Sequence, residues 1–195
     1  DTTAPNVTID SIVSSNSNNT LAKPGDTVTL TFTADEAIQT PTVVFTGANN
    51  SDTVTNTTGN TYTAIYTVAS ADTNGLLAFT IDYQDIAGNS GTTVTQADLT
   101  GSNVTIDTTA PVISQQTEIS TFTNDNTPSY EFNSNEEGDI IFDFNSTGLT
   151  VSTGTSAING LNTVTFNTIS PDGGPYSGIT IKAVSYTHLR AHETW

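Results

Sequence analysis

Through the first half of the chain, apolar side chains fall on every second position. In "GDTVTLTFTADEAI", Val28, Leu30 and Phe32 point one way while Thr27, Thr29, Thr31 and Thr33 point the other, the period-two signature of a strand with one dry and one wet face. The pattern returns in Tyr62, Ala64, Tyr66 and Val68, and again in Leu77, Phe79, Ile81 and Tyr83, each run bounded by Gly, Asn, Asp or Pro. It predicts strands near residues 6–13, 27–34, 41–46, 52–57, 61–68, 76–84 and 93–106. Short strands at even spacing with turn residues between them predict an all-β sandwich. No convincing helical period occurs before residue 185.

The scheme then repeats with Tyr130 and Phe132, Ile140, Phe142 and Phe144, Val164 and Phe166, and Ile179, Ile181 and Ala183. A final strand is missing from this second series. The pentapeptide "DTTAP" opens the chain at Asp1 and returns at Asp107, which divides it into residues 1–106 and 107–184. An odd number of antiparallel strands brings the chain in at one pole of a sandwich and out at the other, so such units string end to end. "DTTAP" is then the joint, with Pro5 and Pro111 restricting the backbone and holding the preceding Ala extended.

Composition narrows the function. The 195 residues carry a formal charge of -17, and Lys23, Lys182 and Arg190 are the only Lys or Arg. Nucleic acid and anionic membranes are therefore repelled. Hydrophobic content of 34% suits thin two-layer sheets with polar outer faces, and the regular alternation argues against disorder. Without cysteine there is no disulfide and no thiol chemistry. No apolar run of about 20 residues, the length of a membrane span, is present, and no membrane insertion is expected of this segment.

The motifs "VTIDTTAP", "YQDIAGN" and "LTFTADEAI" together resemble the tandem bacterial immunoglobulin-like repeats of large secreted surface adhesins, and "NDNTPSYEFNSNEEGDIIFDF" is similar to another subtype of them. The likeness runs from residue 1 to about 184. It implies two tandem immunoglobulin-like Greek-key β-sandwiches, the second lacking its last strand, in an extracellular stalk that is often calcium-stiffened. The partners implied are neighbouring repeats in the same chain and a host-surface or biofilm ligand reached through a distal domain. The alternative is an accessory or carbohydrate-binding sandwich module of a secreted enzyme.

Residues 185–195, "SYTHLRAHETW", break the composition: they hold both histidines, the single Trp and the single Arg. This tail resembles translated sequencing-adapter read-through and is read as non-native. His188 and His192 have the spacing of a helical metal pair, but they lack a surrounding carboxylate or sulfur framework. Losing a final strand forfeits roughly 1.5–3 kcal/mol for each large side chain it would bury, which makes the second unit marginal and leaves a sheet edge open to a foreign strand.

Acidic turns supply the candidate chemistry. In the expected topology the second-to-third and sixth-to-seventh connections lie at the pole where the chain comes in, which gathers Asp1, Asp35, Glu36, Asp85 and Asn89. Calcium takes six to eight oxygens from such carboxylates, amides, carbonyls and waters. A second, weaker site is expected around Asp107, Glu136 and Glu137, with Asp72 approaching from the first unit. Taken singly, each residue is equally what a solvated turn carries. Catalysis has no machinery here: P-loop, zincin helix and nucleophile elbow are absent, and both histidines lie in the tail. Adjacent acids such as Glu136 and Glu137 do not flank a sugar as glycoside hydrolysis requires. The chain is expected not to be an enzyme.

Overall fold

The computed structural model describes residues 1–46, 53–117, 125–144, 150–168, 179–185 and 191–194. By contact the chain divides into two compact units, Asp1–Thr108 and Thr109–Trp195. Among the described residues no helix is long and apolar enough to cross a membrane.

Among the described residues ten strands build the first unit: β1 Val7–Ser14, β2 Leu21–Ala22, β3 Thr27–Ala34, β4 Thr42–Thr46, β5 Thr53–Thr58, β6 Thr61–Thr67, β7 Gly75–Leu76, β8 Ala78–Asp82, β9 Val94–Thr95 and β10 Thr105–Ile106. One sheet runs β1-β3-β6-β5 and the facing one β4-β8-β9, with β2-β10-β7 as a third short ladder. Antiparallel pairing dominates, but β2 and β10 run parallel. Alternation does its expected work: Val28, Leu30 and Phe32 are fully buried, as are Phe79 and Ile81 from the facing sheet. Phe45 joins the layers, its ring centroid 5.5 Å from Tyr66 and 6.3 Å from Phe79, contacts worth about 0.5–1.5 kcal/mol each beyond the area they bury. The threonines of β3 and β6 oppose one another on the wet face, Thr31 beside Thr63 and Thr33 beside Thr61.

Register fixes the two poles. Val7 pairs with Ala34, and Thr42 with Asp82, at the end where the chain comes in; we call this the near pole. Thr27 pairs with Thr67, and Ile106 with Gly75, at the opposite end, where the chain goes out. The segment predicted as one strand over 93–106 is instead two short strands separated by a 3-10 turn at Gln96–Asp98. The break follows Thr95, where the Asp98 carboxylate accepts the Thr95 N–H at 2.8 Å and the Thr95 hydroxyl at 2.9 Å, a local side-chain-to-backbone bond that competes with continuing the ladder.

The second unit contains β11 Ile113–Thr117, β12 Ser129–Ser134, β13 Gly138–Phe144, β14 Val151–Thr153, β15 Ser156–Ala157, β16 Gly160–Phe166, β17 Ile179–Ser185 and β18 Ala191–Thr194. Its sheets run β11-β12-β16-β14 and β15-β13-β17-β18. Tyr130, Phe132, Val164, Phe166 and Ile181 form a smaller core. The edge of β17, expected to be bare, is paired: Thr180 to Ala183 oppose Thr194 to Ala191. Unpaired N–H and C=O groups along an edge accept an extended segment within reach whatever its side chains. His192 therefore lies on a strand and not on a helix, while His188 is outside the described residues.

Candidate metal centre

Two turns at the near pole of the first unit carry the acidic groups. After β3 the chain turns at Asp35, whose N–H donates to the Asn6 carbonyl at 3.0 Å and whose Oδ1 accepts the Asn6 N–H at 2.8 Å. Asp35 thus stitches the incoming segment to the sheet. The next residue, Glu36, is left to project from the turn. After β8, Asp85 forms a bridge with Ile38 and opens a tight turn to Asn89. Gly88 supplies its positive φ of 96°, a conformation costly for residues with a Cβ.

Asp85 is only 2% exposed. Its Oδ1 accepts the Asn89 N–H at 2.8 Å, and its Oδ2 accepts the Asn89 side-chain amide at 2.7 Å. The Asn89 amide foremost, opposed by burial and aided by the backbone N–H groups of Asn89, Gly88 and Ala87, holds this carboxyl below its usual range. The same amide reaches the Asp1 carbonyl at 3.3 Å.

The outcome is a cluster of Asp1, Glu36 and Asp85, each offering one carboxylate oxygen, all within 4.8 Å of one another. Ligands of one calcium ion sit at about 2.3–2.6 Å, so two of them lie at most about 5 Å apart, and this set meets that condition. Bare, such charges repel by about 1 kcal/mol per pair in water and by about 4 kcal/mol near a protein surface. An all-oxygen donor set suits a hard cation rather than zinc or copper.

The remaining predicted residues are placed differently. Asp35 faces Asn6. Asp72, 5% exposed, turns inward: its Oδ2 accepts the Tyr66 hydroxyl, and the Ala69 N–H at 2.7 Å. It secures the β6–β7 connection instead of reaching outward, because the buried Tyr66 hydroxyl needs a partner. Asp107 Oδ1 accepts the Asn74 amide at 3.2 Å, and Asn74 Oδ1 accepts both the N–H and the hydroxyl of Thr108 at 2.6 Å. In the second unit Glu136 bonds through its backbone to the Ser134 hydroxyl, its Oε2 being buried without a hydrogen-bond partner, and Glu137 is exposed.

Sequence reasoning missed three supports. Asn74 clasps the outgoing chain, and its only signal was the Asn-Gly pair in "ADTNG". Lys23 is paired to Asp26 at 2.9 Å. Burial raises the Asp26 pKa, but the Lys23 N–H, the Asn16 amide and the Lys23 ammonium outweigh it, so the net direction is down. Third, the Tyr83 hydroxyl accepts the Val7 N–H at 3.2 Å, tying the turn after β8 to β1.

The strand order, four in β1-β3-β6-β5 facing three in β4-β8-β9, is that of an immunoglobulin-like β-sandwich. No family model matches the chain, and no curated protein matches it. A solved structure described as "D00-D0 domain of Intimin" aligns over 96% of this chain and 96% of that chain, with 12% identity and a TM-score of 0.42. The fold class rests on the strand order itself.

Proposed function

We propose that this chain is structural: immunoglobulin-like beads in the extracellular stalk of a bacterial adhesin, holding a distal binding domain away from the cell, with calcium stiffening the joints. The observation that carries this reading is the first unit's polarity, with Asp1, Glu36 and Asp85 gathered where the chain comes in and Asp107 leaving at the other end. Asp1, Glu36 and Asp85 would hold the ion, which would supply charge neutralisation and a cross-link between the incoming segment and two turns. Asn89 orients Asp85 for that role. Asp72 is engaged in its own turn.

Carbohydrate recognition gains no support among the described residues, where the aromatic side chains Phe32, Phe45, Tyr62, Tyr66, Phe79, Tyr83, Tyr130, Phe132 and Phe166 are buried and Phe142 packs against the core half-buried. Titration of the full chain with calcium, followed by calorimetry and small-angle scattering, tests the proposal. The melting temperature of the first unit should rise and the maximum dimension should settle at a narrower, longer value. Chelation that moves neither quantity overturns the calcium-stiffened stalk.

A further inference from the structure

The two units differ at the strand that follows the second-last long one. In the first unit Ile81 on β8 lies opposite Val94 on β9, and Val94 packs against the core. In the second, Ile181 on β17 occupies the matching position: Phe142 pairs with Ile181 as Val43 pairs with Ile81. Ile181 is fully buried, yet the residue opposite it is Glu193. Opposed residues on neighbouring strands share a face of the sheet, so a carboxylate residue holds a register position that a core-facing apolar side chain fills in the first unit. β18 is joined to β17 by a backbone ladder of four residue pairs, from Thr180 to Ala183.

We propose that the outer edge of β17 is a strand-acceptor site for an extended peptide carrying a β-branched apolar residue opposite Ile181. Such a peptide keeps the backbone pairing of β18 and puts an apolar residue at the register position opposite Ile181; main-chain pairing supplies affinity and the alternate side chain supplies selectivity. The first unit shows the chemistry of a fitting strand in Ser90–Gln96, "SGTTVTQ", with Val94 at the decisive position. The binding site goes beyond the stalk reading and stands whether or not the chain is a spacer.

The test uses a fluorescein-labelled SGTTVTQ peptide added to the full chain. Anisotropy should show saturable binding, and hydrogen exchange should slow across residues 179–185. Glu193→Pro, which cannot sustain the competing strand, should bind about tenfold more tightly, and a peptide with Pro in place of Val94 should not bind. The proposal is overturned if neither chain binds saturably, if the proline peptide binds equally well, or if protection appears in the first unit instead. Should Glu193→Pro unfold the second unit, the unaltered chain still decides, because it must bind the peptide and gain protection at 179–185.

Discussion

Near the poles where their chains come in, the two units place the same backbone and different chemistry. Asp35 exchanges backbone and side-chain bonds with Asn6 just after Pro5; Asn135 does the same with Val112 just after Pro111, its N–H donating at 3.2 Å and its Oδ1 accepting at 2.6 Å. Glu36 and Glu136 follow. The bridge of Ile38 with Asp85 has its counterpart in Gly138 paired with Ser185, so serine stands where the first unit has its best-oriented carboxylate. The hydrogen bonds of the turn therefore recur in both units, while the carboxylate at the position of Asp85 does not.

The comparison breaks most completely through the core. Truncating Phe32, which stacks on Tyr62 at 5.6 Å, should cost about 3–5 kcal/mol. In thermal unfolding the first unit, whose core is larger, should melt above the second, and Phe32→Ala should bring the two transitions together. Next comes the acid itself. Asp85→Ser, which copies the second unit, should abolish the calcium-dependent rise in melting temperature, a loss of about 2.7 kcal/mol at calcium one hundred times its dissociation constant. Calorimetry with and without chelator measures it.

Smaller effects sharpen the picture. Asp72→Ala strips a partner from the buried Tyr66 hydroxyl and should destabilise the first unit by about 1–3 kcal/mol while leaving the calcium response intact, which separates turn support from ion binding. The least effect is that of acid. Asp26, Asp85 and Asp98 all have pKa values lowered from 3.8 in the folded state. Depressed carboxyls contribute stability that is present above their unfolded pKa and is lost as pH falls through the folded one. The first unit's melting temperature should therefore hold near neutrality and decline as pH drops below about 4, and Asp98→Asn should flatten that decline.

Period-two alternation made most of the fold legible. Thr27–Ala34 and Thr61–Thr67 lie where the pattern predicts, because a half-buried strand can satisfy its dry face only in that register. The expected topology names Asp1, Glu36 and Asp85 together with Asp35 and Asn89; in the structure the first three bring carboxylate oxygens within 4.8 Å of one another. The orientations of Asp35 and Asp72 were not legible: Asp35 is held by the Asn6 N–H from far along the chain, and Asp72 by the Tyr66 hydroxyl and the Ala69 N–H of its own turn, and hydropathy announces neither. The break within 93–106 escaped for a related reason: Asp98 captures Thr95 through its side chain, an event invisible to hydropathy. The pairing of Ala191–Thr194 was illegible because edge hydrogen bonds are indifferent to sequence.

The parallel pair β2 and β10 has a mechanical consequence. Thr105 donates to the Thr20 carbonyl and Asp107 to the Ala22 carbonyl, both at 2.9 Å. Tension between Asp1 and Asp107 meets the ladder of β1 with β3 first; what passes on to β2 drags it lengthwise past β10, and both bonds take that load at once. They fail in shear, together, rather than opening one after another like a zip. In the first unit this pair is therefore loaded along its length rather than across it.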